Sequence, residues 1–169
     1  NVEILRAKKL RIPVIRRAEM LAEITHLKEN CIAVAGTHGK TTTTSMCGVI
    51  LTEANLEPMI IVGGVVKNIG SNSQSGAGDT IIVEADEFDR SLLTLSPSLA
   101  IITTLEKEHL DIYKNIDDLK QTFVQFANQV PFYGAVALCI DEPNIIDIIP
   151  KINHRIITFG FTKLADIRA

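Results

Sequence analysis

Residues 36–44 read GTHGKTTTT and follow directly on an apolar run, CIAVA. Two glycines let backbone N–H groups turn inward, a helix starting near Lys40 would offer free amides and its positive dipole end, and Lys40 adds a full charge. This is the chemistry of a phosphate cradle. Thr41 takes the place where a phosphate loop supplies the hydroxyl that meets magnesium. The spacing departs from the long pattern G-x-x-x-x-G-K-[ST], because the position six before Lys40 is Val34 and the first glycine is Gly36. A helix-capping turn with an exposed lysine is the plain alternative, although capping alone rarely assembles glycine, lysine and threonine side by side after a buried strand. A lysine at such a turn is expected to pack little surface, so Lys40→Ala is expected to remove phosphate affinity and leave the fold intact.

Two further stretches carry charge in places that matter. EADEFD sets Glu84, Asp86, Glu87 and Asp89 within six residues, just after the apolar run TIIV. An acidic turn standing alone is usually only solvated. Beside a bound polyphosphate, however, crowded carboxylates repel it unless a divalent cation lies between, and magnesium is held by one or two carboxylates plus phosphate oxygens. Glu84, nearest the apolar run, is the candidate ligand. LEKEHLDIY, after LAIITT, brings His109 and Asp111 to another loop, where a lone histidine is ordinarily a surface residue.

These residues need elements to position them. Apolar runs rich in β-branched residues recur at CIAVA, MIIV, TIIVEA, LAIITT, AVALCI and RIITF. Helical segments lie between them, chiefly 41–54, 117–130 and 142–149. Runs apolar on both faces and alternating with helices predict an α/β fold, a mostly parallel sheet with helices on both faces. In such a sheet ligands bind beyond the carboxyl ends of the strands, which is where all three charged stretches fall. Ahead of the first run, VEILRAKKLR reads as a helix capped by Asn1, and 17–27 reads as a second amphipathic helix. GSNSQSGAG, residues 70–78, is a flexible loop by composition.

Composition narrows the function. The chain has 169 residues, 46% of them hydrophobic, enough for a core of ordinary size. A formal charge of −3 offers no basic field, so no nucleic-acid partner is expected, and RAKKLR and IRR read as solvated helix faces. Cys31, Cys47 and Cys139 are widely spaced in apolar segments and read as reduced core residues of a cytoplasmic protein, without disulfide or zinc. No apolar stretch has membrane-spanning length, no signal peptide is evident, and the start at Asn1 without methionine suggests a fragment.

GTHGKTTTT, EADEFDRSLL, SPSLAIITTLEKEHLDIY and a closing TFGF occur in the order and approximate spacing of the Mur ligases, which the chain resembles over essentially its whole length. RIPVIRRAEMLAEI resembles the segment that links that family's N-terminal UDP-binding domain to its central ATPase domain. Family members use a shortened G-T-x-G-K-T loop, so Val34 is no defect. The resemblance implies a P-loop-type central ATPase domain over 31–169, incomplete at its C-terminal end, with 1–30 a remnant of the UDP-binding domain and linker. It implies ATP and Mg2+ as cofactors: Gly36, Thr37, His38, Gly39, Lys40, Thr41 and Thr42 would bind ATP phosphates, Thr41 and Glu84 one magnesium, and His109 a second. Lys40, Glu84 and His109 would be the catalytic set. Gly63, Gly64, Lys67, Asn68 and Asn72, a looser match, would face a muramate substrate.

Within the family the motifs are most similar to those of members that join L-alanine to UDP-N-acetylmuramate through an acyl phosphate, in peptidoglycan precursor synthesis. A recycling ligase that attaches a murein tripeptide to the same nucleotide sugar is the near alternative. A nucleotide-binding switch that does not ligate is the alternative of another class; it leaves His109 unexplained, and the guanine-reading N-K-x-D motif is absent.

Overall fold

A computed structural model describes residues 1–66, 70–108 and 112–169. Along the chain run α1 (Val2–Lys9), α2 (Arg17–Thr25), β1 (Asn30–Ala35), α3 (Lys40–Glu53), β2 (Met59–Val66), β3 (Ser71–Gln74) and β4 (Thr80–Glu84). A 3-10 segment, Phe88–Thr94, leads into β5 (Leu99–Ile102), followed by α4 (Ile116–Ala127), β6 (Ala135–Cys139), α5 (Pro143–Ile146), β7 (Ile156–Gly160) and β8 (Ile167–Arg168). The strands form one sheet in the order β3-β2-β4-β1-β5-β6-β7-β8. Every pairing is parallel except β2 with β3. The six apolar runs are the six central parallel strands, as their two-sided hydrophobicity requires.

The core explains that pattern. Ala33, Val34, Ala35, Ile81, Ile82 and Val83 have no exposed surface at all, because helices cover both faces. On one face a small cluster of Ile60, Val62 and Ile82 packs under Cys47 and Leu51 of α3. On the other, Leu119, Phe123 and Phe126 of α4 join Val83, Ile102 and Leu138. α4 begins where Asn115 accepts a hydrogen bond from Asp118 N at 2.9 Å, and its apolar residues recur at helical spacing to make that buried stripe. α1 is capped by Asn1, which accepts from Glu3 N at 2.8 Å, and buries no residue. α2 does bury Ala22 and Thr25, and packs against the 3-10 segment. No helix among the described residues is long and apolar enough to cross a membrane.

Two sequence expectations need correction, and one strand was not expected. The stretch 70–78 is not a free loop: Ser71–Gln74 is an antiparallel edge strand on β2. Beyond it Lys28 Nζ donates to Gly76 O and Gly78 O at 2.9 and 2.6 Å, and a Cβ on either glycine would strike the backbone of Leu56–Pro58. The two glycines serve there for close approach. The helix expected over 142–149 is one turn, α5, followed by a separate 3-10 turn at Ile149–Lys151, because Pro150 cannot donate to a continuing helix. β8, only two residues long, carried no apolar run to announce it.

Candidate active site

β1 lies inside the sheet, with β4 on one side and β5 on the other, while the chain leaves β1 for β2, returns to β4 and then crosses to β5. The carboxyl ends of β4, β1 and β5 therefore meet at the point where the strand order reverses. Register puts Glu84 beside Val34 on one flank and Ile102 beside Ala35 on the other. The loop 36–39 leaves between them.

Gly36 has φ +138°, and a Cβ there would lie 2.1 Å from Thr103 Oγ1 and 2.9 Å from Thr104 N. Only glycine fits, and this is where the shortened loop spends its first glycine. Thr104 fastens the loop from below: its carbonyl accepts from Thr37 N at 3.1 Å and its hydroxyl accepts from His38 N at 2.8 Å. Thr103 Oγ1 donates to His38 O at 2.6 Å. Thr37 is itself buried, its hydroxyl 2.9 Å from that of Thr104 and accepting from Glu106 N at 3.1 Å. Gly39 at φ +80° is the residue before α3, so Lys40, Thr41 and Thr42 form the helix's first turn with their free amides at the loop. His38 is half exposed, with Nε2 3.1 Å from Glu108 Oε1 and 3.8 Å from Glu106 Oε2.

Lys40 is not the free lysine the sequence suggested. Its Nζ donates to Gly36 O at 2.7 Å and to both oxygens of Glu87, at 2.8 and 3.0 Å, and the Glu87 side chain is fully buried. Glu84, by contrast, is half-buried, and its Oε1 lies out of contact with solvent with no hydrogen-bond partner. Gly63 and Gly64 make room across the strand: a Cβ on Gly63 would come within 2.7 Å of Glu84 Oε2, and one on Gly64 within 3.6 Å of Thr41 Cγ2. Glu84 and Thr41 thus border the same glycine pair. A buried carboxylate oxygen without a donor, next to a threonine at a helix N-terminus, suits a hard divalent cation. Among the described residues no three His, Cys, Asp or Glu side chains form a ready-made metal cluster. Magnesium shared with phosphate oxygens does not need one. Glu84 and Gly63 also line a cleft of about 220 Å3, bordered by Arg17, Leu21, Asp86, Phe88 and Asp89.

His109 and Asp111, and Lys67 and Asn68 of the looser set, lie outside the described residues. Asn72 is exposed on the edge strand β3.

A model of the Mur ligase middle domain matches residues 34–169. The chain belongs to the Mur ligase family. It is 52% identical over 169 residues to a protein of Geotalea uraniireducens named UDP-N-acetylmuramate--L-alanine ligase, covering 100% of this chain and 37% of that protein. It therefore spans little more than a third of the length of that Mur ligase relative. Among solved structures it is similar to the UDP-N-acetylmuramate:L-alanyl-gamma-D-glutamyl-meso-diaminopimelate ligase of Neisseria meningitides, with TM-score 0.84 at 27% identity over 96% of this chain and 55% of that one. It is similar also to the UDP-N-acetylmuramate-alanine ligase of Thermotoga maritima, with TM-score 0.79 at 26% identity over 96% of this chain and 36% of that one. The eight-stranded, mostly parallel sheet is thus the Mur ligase middle-domain fold.

Sequence reasoning missed Glu87 as a partner of Lys40 and missed Thr103 and Thr104 as the floor of the Mur ligase loop. TT at the end of LAIITT was the available signal for the threonines, since two hydroxyls after a buried strand have little else to bond.

Proposed function

We propose that this domain binds Mg-ATP at 36–42 and that the whole protein uses it to join L-alanine to UDP-N-acetylmuramate through an acyl phosphate, in peptidoglycan precursor synthesis in the cytoplasm. The observation that carries the reading is the orphaned, buried Glu84 Oε1 at the strand end beside a glycine loop that opens on a helix N-terminus. Amides of the loop and of the first turn of α3 would hold phosphate oxygens, and Lys40 would balance the charge that spreads over the transferring phosphoryl group. Thr41 and Glu84 would hold one magnesium, with His109 serving a second. Magnesium supplies Lewis-acid neutralisation of the phosphate oxygens. A carboxylate acceptor resists attack by an amine until its oxygen becomes a good leaving group, and phosphorylation provides that. No nucleic acid or membrane enters this reading.

Identity supports L-alanine as the amino acid. The relatives at about half identity over the whole chain are named for it. Calorimetric titration with ATP, with and without magnesium, tests the nucleotide site. We expect magnesium-dependent binding that disappears in Lys40→Ala and weakens in Glu84→Gln. Binding indifferent to magnesium and to both substitutions would leave the loop a helix cap.

A further inference from the structure

A lysine ammonium has three N–H donors and no acceptor. Here each has a partner, Gly36 O at 2.7 Å, Glu87 Oε2 at 2.8 Å and Glu87 Oε1 at 3.0 Å. A phosphate oxygen can gain a bond from Lys40 only if one of these is released. The two members of the ion pair are not equally free to move: Glu87 is 0% exposed and Lys40 17%. Drawing the ammonium away altogether would take a cation from a fully desolvated carboxylate, which is unfavourable. The ammonium can therefore turn toward a phosphate at less cost than it can leave the carboxylate.

The segment holding Glu87 is itself clamped. Its carbonyl accepts from Tyr113 Oη and from Arg90 N, the latter at 3.0 Å. Asp89 and Arg90 sit at φ +54° and +61°, a conformation that non-glycine residues keep only when their surroundings enforce it. The enforcement is visible: Arg90 Nη2 donates to both oxygens of Asp118 at 2.7 and 2.8 Å, Nη1 donates to Thr122 Oγ1 at 3.0 Å, and the guanidinium stacks 4.9 Å over the Tyr113 ring. α4 thereby fixes the place of a carboxylate that meets the lysine of the loop.

We infer that Glu87 is a positioning residue for Lys40: it occupies two N–H groups of the ammonium in the free protein, and yields one to an incoming polyphosphate while the other keeps the charge in place. This rests on the nucleotide reading above. Glu87→Gln preserves shape and one acceptor oxygen but removes the charge. An N–H is then free for phosphate and a nearby negative charge is gone, so ground-state affinity is kept or improved. The ammonium is no longer held where charge develops, so turnover falls.

The test is made on the full-length protein, with Mg-ATP affinity by calorimetry and steady-state turnover for the unsubstituted protein, Glu87→Gln and Glu87→Asp. Expected for Glu87→Gln is affinity equal to or tighter than the parent's with turnover lower by about tenfold or more, and for Glu87→Asp a partial recovery of turnover. Weakened affinity, or a smaller loss of turnover, overturns the inference. Should the Gln protein fail to fold, the Lys40 ammonium of the parent can be followed by nitrogen-edited NMR. A signal protected from water exchange before nucleotide is added supports the pair, and an unprotected one overturns it. Absence of Mg-ATP binding by the parent would instead remove the nucleotide reading, and the inference with it.

Discussion

At the scale of single residues, the pairing of Lys40 with Glu87 changes what a substitution should do. Viewed as a loop lysine, Lys40 should be dispensable for stability. Viewed in place, its removal takes a cation from a buried carboxylate, so Lys40→Ala should abolish Mg-ATP binding and also lower stability by on the order of 2 kcal/mol. Calorimetry and a denaturant melt on the same protein check both halves, and an unchanged melt would contradict the pair. Glu84 was legible in the sequence as the acid nearest a buried strand, and it stands at the strand end with an unpartnered oxygen. Glu87, three residues on, was not, because nothing in EADEFD says which carboxylate turns inward. Gly63 offers a test of Glu84 that leaves the carboxylate chemically intact. A methyl group there would lie 2.7 Å from Glu84 Oε2 and must displace it, so Gly63→Ala should weaken magnesium-dependent nucleotide binding with little change in affinity measured without magnesium. Glu84→Gln and His109→Ala should part company: the first weakens Mg-ATP binding itself, the second mainly slows turnover, by about a hundredfold.

Among elements, the six parallel strands were readable because burial on both faces writes itself as continuous β-branched runs. The edges were not. β3 is made of serine, asparagine and glutamine, residues that suit a half-exposed edge and equally suit a loop, and β8 has only two residues. Tertiary contact decided both. The same limit hid the tie between α4 and the 3-10 segment, whose partners Arg90 and Asp118 are 28 positions apart. That tie has a pH signature. The hydrogen bond from Arg90, aided by Lys114 N, holds the Asp118 carboxyl below its usual range. A group depressed in the folded state adds stability that is present above its unfolded pKa and lost as pH falls through the folded one. Asp118→Asn should therefore lower the melting temperature near neutral pH, and the difference from the parent should shrink as pH falls through and below the usual carboxylate range. A difference that persists into strong acid would mean that the pair's charge contributes nothing.

For the molecule as a whole, the described residues build one sheet with helices on both faces, and the loop sits where the strand order reverses. This chain should fold when made alone, since that core closes within it, but it should not ligate, because the related ligase is nearly three times as long. Peptide-bond formation by the isolated chain would contradict this. That the glycine loop and Glu84 come together at the ends of β1 and β4 was foreseeable from the residues that follow each apolar run, whereas the amino-acid contacts had no reading in the sequence. What unites the scales is a single expectation, that ATP cleavage here is tied to ligation. It is tested most directly by following ADP release from the full-length protein while UDP-N-acetylmuramate and L-alanine are supplied separately and together. The account predicts sustained release only when both are present with ATP and magnesium, and none from Lys40→Ala; steady release without either acceptor, or release that a murein tripeptide supports and L-alanine does not, would contradict it.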